Sequence, residues 1–285
     1  MSETKEIQSW TSVIKPVSGW FDIHLSELWR YRDLIMLFVR RDFVSIYKQT
    51  ILGPVWFLIQ PLFTTLIFTV IFGRVAKIPT DGLPHILFYM SGIVFWNYFA
   101  SCLDKTSNTF VGNADIFGKV WFPRLTVPLS IVISNLITFA IQFALFFCFY
   151  LYFFFKGASI SPKPLILISP FLIIQMAALG LGFGIIVSSL TTKYRDLRYL
   201  VGFGVQLWMY ATPIVYPTSQ IPDKYQWIMS LNPMAPVIEA FRYAFLGAGT
   251  VHPWQMGLSI GITLLILAIG IILFSRIEKS FMDTV

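Results

Sequence analysis

Charged residues are confined to a few short segments of this chain. Between them run uncharged stretches from Gln49 to Gly73, Gly82 to Leu103, Leu125 to Phe155, Pro164 to Thr192, Tyr199 to Pro222 and Tyr243 to Ser275. Each exceeds the roughly 20 residues a helix needs to cross a hydrocarbon core. The pattern predicts an all-α integral membrane protein whose six spans lie at approximately 53–73, 84–103, 127–155, 165–190, 199–217 and 254–275. Residues 1–50 stand apart as an N-terminal segment, and 51–285 form the transmembrane domain.

The segment from Trp20 to Lys48 is predicted to be an amphipathic interface helix. At the helical period Leu25, Leu28, Trp29, Ile35, Met36, Val39, Phe43, Ile46 and Tyr47 share one face, opposed by Ser26, Arg30, Asp33, Arg40, Arg41 and Lys48. Such a helix suits the headgroup plane, and packing against cytoplasmic loops fits it equally. Within the spans, Gly53, Pro54 and Pro61 interrupt the first, and Pro213 and Pro217 the fifth. Gly180 and Gly184 on the fourth span, beside Ala178 and Gly182, and Gly257 with Gly261 on the sixth, form small-residue faces suited to close helix packing.

The stretch from Thr218 to Pro253 is too apolar for a solvated loop and too short for two spans, so it is expected to be a re-entrant hairpin. Ser230-Leu-Asn-Pro-Met-Ala-Pro236 breaks it, and Val237 to Phe245 can form a helix carrying Glu239 and Arg242 one turn apart. A charged pair at that depth can serve function or structure.

Composition agrees: 56% of residues are hydrophobic, 17% aromatic and 12% charged, with a mean hydropathy of +0.71, against roughly 25% charged in soluble domains. Six spans leave no room for a soluble catalytic domain of ordinary size. With both termini inside, the inner segments hold 15 Lys and Arg against 6 outside, the bias that orients membrane proteins. Both termini are therefore expected to be cytoplasmic. The net charge of +7 calls for no nucleic acid. Met1 to Thr50 lacks the apolar core of a signal peptide, so the first span is expected to direct insertion. The first 20 residues carry no assigned role.

Chemistry is conspicuous by its scarcity. Gly118-Lys119 lacks the rest of a phosphate-binding loop, so no ATP site of that kind is encoded, and the chain is expected not to be an enzyme. His24, His85 and His252 are isolated, and Cys102 and Cys148 fall in or beside spans, which predicts no metal site and no disulfide. No charged residue lies well inside a span, which argues against ion-coupled transport.

The loop from Asn113 to Ser130 is the positive signal. It can form a short helix with Ile116, Val120 and Trp121 on one side, stopped before Pro123. Its Asn113, Asp115-Ile116, Lys119-Val120 and Phe122-Pro123-Arg124 resemble the coupling region of ABC-2 type permeases, especially exporters of O-antigen, capsular polysaccharide and teichoic acid. The interface helix, Tyr194-Arg-Asp-Leu-Arg198 leading into Thr212-Pro-Ile-Val-Tyr-Pro217, and Asn232-Pro through Phe241-Arg242 extend the likeness to most of the chain.

The resemblance implies a homodimer joined to two copies of a separate ATPase that binds ATP and Mg. It implies a lipid-linked polysaccharide moved through a channel between the first and fifth helices of both copies, among membrane lipids. Coupling to the ATPase falls to Asn113, Asp115, Phe117, Lys119, Phe122, Pro123 and Arg124, with Arg195 and Asp196 either supporting them or capping helices. Trp56, Phe57 and Phe63 on the first span and Trp208, Tyr210 and Tyr216 on the fifth either line the channel or pack the core. Asn232, Pro233, Glu239 and Arg242 are the outer gate residues. An ABC-2 permease for a smaller lipid or drug-like substrate, and a membrane enzyme of glycolipid metabolism, are the alternatives.

Overall fold

The computed structural model describes residues 25–49, 53–194 and 196–280, and among these every regular element is helical. Helices α1 (Leu25–Arg30) and α2 (Arg32–Gln49) precede α3 (Trp56–Phe68). Next come α4 (His85–Ser107), two single-turn helices, α5 (Thr109–Gly112) and α6 (Ala114–Phe117), and then α7 (Thr126–Phe155). The remainder is α8 (Ser169–Thr191), α9 (Leu197–Tyr210), α10 (Gln226–Leu231), α11 (Met234–Leu246) and α12 (Pro253–Ser280).

Five segments are long and apolar enough to cross a membrane: Gly53–Val75, His85–Ser107, Thr126–Phe155, Pro164–Thr191 and Pro253–Glu278. The first unites α3 with a wider π-helical turn over Thr69–Val75. The stretch expected to be the fifth span is helical only for the 14 residues of α9, about 21 Å at 1.5 Å per residue. Pro213 lies just beyond and disfavours helix in the residue before it. The chain bends instead through buried Thr212, Pro213, Ile214 and Val215.

Helix α4 is the centre of the bundle. In its apolar window 78% of residues are buried, against 17% for the first segment, so α3 faces largely outward. Helix α8 fits between α4 and α12 because glycine removes the side chains at the crossings. A Cβ on Gly184 would stand 2.5 Å from that of Thr106, one on Gly180 2.8 Å from that of Cys102, and one on Gly182 3.0 Å from the Leu267 nitrogen. Gly257 and Gly261 differ from this expectation. No atom lies within 4 Å of the space their Cβ would fill, so α12 presents that face outside the fold.

The N-terminal helical segment breaks at Tyr31, and its first residues, 20–24, lie outside the described residues. Its protein-facing side carries Leu28, Phe38 and Val39, while Trp29, Met36 and Leu37 are exposed beside Arg32, Arg40 and Arg41. The apolar positions thus divide between a packed face and an exposed one.

The stretch expected to be a hairpin forms two helices meeting at Asn232-Pro233. Helix α11 is longer than expected and buried along almost its whole length. Gly247, at φ 76°, ends it in the left-handed conformation, and its N–H donates to the carbonyls of Arg242 and Tyr243.

Candidate functional site

The expected site residues fall into three groups, and the loop between α4 and α7 holds the first. Past α4, the Phe110 N–H donates to Ser188 Oγ at 3.2 Å and Thr191 Oγ1 to the Ser107 carbonyl at 3.3 Å, tying the loop to α8. Asn113 Nδ2 reaches back to the Thr109 carbonyl at 2.9 Å, where α5 gives way to α6. The expected loop helix is confined to Ala114–Phe117, with Gly118 following. Phe117 and Phe122 are buried with Phe38, Phe110, Val127, Ile185 and Phe274 in an apolar cluster that gathers α2, the loop, α8 and α12. Ring centroids lie 5.8 Å apart for Phe38 and Phe122, and 4.4 Å for the stacked Phe110 and Phe274.

Arg124 spans the loop's base. Its N–H donates to Glu278 Oε1 at 3.0 Å, its Nη1 to the Glu278 carbonyl at 2.6 Å, and its guanidinium lies 5.4 Å from the Phe117 ring centroid. Burial depresses the Arg124 guanidinium pKa, and Glu278 opposes that shift. Phe117, Phe122 and Arg124 therefore hold the loop on the body. Asp115 and Lys119 are exposed, with Val120 and Trp121 each 59% exposed, while Pro123 is half-buried. Val120 and Trp121 were not among the expected contact residues; two apolar side chains abutting the charged Lys119 in a loop are the sequence signal for them. Arg195 lies outside the described residues. Asp196 is exposed at the start of α9, its carbonyl accepting from the Tyr199 and Leu200 N–H groups.

The second group is aromatic. Trp56 and Phe63 are exposed on α3, along with Ile67, Val70 and Ile71, and Phe57 is half-buried. On α9, Tyr210 is exposed in a stripe with Tyr199, Phe203 and Leu207, whose three- and four-residue spacing is legible in the sequence. Gln60 and Gln206 add amides to these two faces. Trp208 points the other way. Its indole ring packs edge-on against Trp96, Phe99 and Phe183 at centroid distances of 6.0, 5.1 and 5.2 Å. Tyr216 is half-buried and donates its hydroxyl to the Tyr210 carbonyl at 3.2 Å.

The third group joins α9 to the segment beyond it. Asn232 Oδ1 accepts from Trp208 Nε1 and from the Met234 N–H, both at 3.1 Å, while its Nδ2 donates to Thr212 Oγ1 at 2.9 Å and the Ala211 carbonyl at 3.2 Å. The Pro233 carbonyl accepts from Ser259 on α12 at 2.6 Å. Arg242, 1% exposed, donates to Ser91 Oγ and to the carbonyls of Phe88, Pro213 and Ile214, with its guanidinium 3.8 Å from the Phe88 ring centroid. Glu239 Oε1 lies 3.6 Å from Arg242 Nη1. Its carboxylate borders a cavity of about 200 Å³ shared with Thr218, Gln226, His252 and Gln255. Arg242 thereby staples α11 to α4 and to the bend after α9. Two of its acceptors, the Pro213 and Ile214 carbonyls, are available because the chain leaves the helical conformation after Tyr210, a role invisible in side-chain spacing.

Nothing in these groups resembles a hydrolytic or transferase centre, and no metal-ligating cluster occurs among the described residues. Residues 33–246 match the ABC-2 type transporter family across most of the chain. The chain belongs to that family. Three O-antigen export system permease proteins named RfbA are similar to it. Two from Klebsiella pneumoniae are 28% identical over 251 residues, 88% of this chain and 94% of those proteins. One from Myxococcus xanthus is 25% identical over 224 residues, 77% and 82% respectively. With its five apolar segments, this ABC-2 family member is a multi-pass membrane protein. The family match takes in α2 from Asp33, the loop residues from Asn113 to Arg124, α9 and α11, while their partners on α12 lie beyond it.

Proposed function

We propose that the chain is the permease subunit of an ATP-driven exporter that moves a lipid-linked polysaccharide across the bacterial inner membrane. The observation that carries this reading is the likeness to O-antigen export permeases over 94% of the length of the two Klebsiella proteins. Two copies form the channel, and two copies of a separate ATPase subunit bind ATP and Mg and drive it.

The exposed tip of Asp115, Lys119, Val120 and Trp121 suits an ATPase contact: charge beside an accessible indole on a loop anchored to α2, α8 and α12. Movement of the ATPases reaches the bundle through Phe117, Phe122 and Arg124. The exposed faces of α3 and α9 line the path, where Trp56, Phe63 and Tyr210 offer ring faces to sugars and Gln60 and Gln206 offer amides. Helix α9 and the bend through residue 217 make the sixth crossing, with α10 and α11 a re-entrant outer hairpin held by Asn232, Pro233, Glu239 and Arg242. Both termini are cytoplasmic, as the Lys and Arg bias supports. Trp29 on α1 and Met36 and Leu37 on α2 rest these two helices on lipid.

The test is reconstitution of the permease with the ATPase that copurifies from its native membrane. ATP-dependent delivery of lipid-linked glycan to the far leaflet is the expected result. Purification without any ATPase, or transport indifferent to ATP, overturns the reading.

A further inference from the structure

A cavity of about 260 Å³ opens between α2, the first turn of α3, the last turn of α4 and α7, lined by Asp42, Phe43, Ser45, Phe57, Lys105, Ile131, Ser134, Asn135 and Thr138. It is smaller than the roughly 300–1,000 Å³ of pockets that enclose drug-sized ligands, so a sugar chain does not fit. Its depth is defined by its walls. Lys105 lies near the end of α4, and Asp42 lies on α2. With Met36 and Leu37 exposed on α2 itself and Trp29 on the preceding α1, that is headgroup level for a membrane protein.

The polar groups point to a ligand. Lys105 Nζ donates to Asn135 Oδ1 at 2.8 Å, and buried Asn135 in turn donates to the Ile131 carbonyl at 2.9 Å. An ammonium has three donors, and Asn135 fixes one of them in the cavity wall. Ser134 Oγ is buried and has no hydrogen-bond partner among the described residues, although a buried hydroxyl ordinarily has one. Both signs of charge border the space. Asp42 Oδ1 accepts from Arg41 Nε and Nη2 at 3.0 and 2.9 Å. A simple anion would therefore approach the Asp42 carboxylate as well as Lys105, and a simple cation would meet Lys105.

A dipolar ion satisfies both. We propose that this cavity binds a phospholipid headgroup bearing a phosphodiester and a primary ammonium. The phosphate meets Lys105 Nζ, Ser134 Oγ and Thr138, the ammonium meets Asp42, and Phe43, Phe57 and Ile131 cover the glycerol and upper acyl carbons. The lipid becomes a wedge between the interface helix and the first span. The proposal rests on the membrane reading of the chain and not on its cargo.

Native mass spectrometry of the full-length permease, titrated with phosphatidylethanolamine, phosphatidylglycerol, phosphatidylcholine and a polyprenyl diphosphate, tests it. Phosphatidylethanolamine is expected to bind at least about tenfold more tightly than the others, the scale of one charge-assisted hydrogen bond. Lys105→Gln should remove that binding, and Asp42→Asn should erase the preference over phosphatidylglycerol. Ser134→Ala should weaken binding several-fold with an unchanged melting temperature, because no protein partner is lost. Equal binding by the wild type and Lys105→Gln overturns the site. Tighter binding of phosphatidylglycerol or of the diphosphate overturns the assigned headgroup. No ATPase or transport enters the readout, so failure of the exporter reading leaves this result standing, and the converse also holds.

Discussion

Arg124 and Glu278, far apart in sequence, are joined through main chain and side chain at once: an N–H to the Glu278 carboxylate at 3.0 Å and a guanidinium to the Glu278 carbonyl at 2.6 Å. The loop that faces the proposed ATPase is thus fastened to the end of α12. Arg124→Ala removes the guanidinium contact and leaves the carboxylate contact. Glu278→Ala does the reverse, and Glu278→Gln retains an acceptor oxygen. We expect Glu278→Gln to be milder than Glu278→Ala, and each alanine variant to lose on the order of 1 kcal/mol, since the site is only half-buried. Thermal unfolding of the four proteins in detergent checks the order.

The loop divides into anchors and tip, and substitutions should divide the same way. Phe117→Ala or Phe122→Ala opens the buried cluster and should cost about 3–5 kcal/mol. Asp115→Arg and Trp121→Ala alter exposed side chains and should leave the melting temperature nearly unchanged while weakening ATPase association about tenfold, as interface anchors do. Pull-down of the ATPase beside a melting curve separates the two classes.

Five apolar segments, the break at Asn232-Pro233 and the packing role of Gly180 and Gly184 were legible in the sequence, because each follows from hydropathy, backbone restriction or side-chain size. The direction of a single residue was not. Trp208 and Tyr210 are two positions apart on one short helix, so opposite environments follow from the helical period. Which of them faces inward depends on Trp96, Phe99 and Phe183 arriving from other helices. Likewise, Pro213 and Pro217 were visible as interruptions, but that Arg242 would reach the Pro213 and Ile214 carbonyls required the fold. The motif from Asn113 to Arg124 did not separate buried Phe122 from exposed Trp121.

Arg242 supplies a sharper test because it is fully buried among acceptors. Arg242→Met leaves the Glu239 carboxylate without its cation and takes the Arg242 donors from the Pro213 and Ile214 carbonyls, and should destabilise by about 3–5 kcal/mol. Glu239→Gln alone should cost less. Adding Glu239→Gln to Arg242→Met should restore part of the loss, since the stranded charge is then gone. A thermal or denaturant series on the single and double variants measures this non-additivity.

Trp208 and Tyr210 should fail differently. Trp208→Phe keeps a ring between α4 and α8 and removes the donor to Asn232, a loss of about 1 kcal/mol. Trp208→Ala removes the ring and should cost about 3–5 kcal/mol, lowering export through the amount of folded protein. Tyr210→Ala changes an exposed ring and should preserve stability while slowing glycan export per folded molecule. Export normalised to folded protein distinguishes the cases, and unchanged normalised export by Tyr210→Ala would remove that residue from the path.

The glycines of α8 and α12 make the final contrast. At Gly184 even alanine places a Cβ 2.5 Å from that of Thr106 and 3.1 Å from the Leu103 carbonyl, so α4 and α8 must separate. The expected cost of Gly184→Ala is about 1–3 kcal/mol, typical of an overpacked core. Gly257→Ala and Gly261→Ala enter open space and should leave the isolated protomer within about 0.5 kcal/mol of the wild type. Bulkier Gly261→Leu discriminates further. A protomer that remains folded but no longer forms the homodimer would show that the second copy, rather than lipid, covers this face of α12. Unfolding curves combined with size-exclusion chromatography and light scattering read both properties from one preparation.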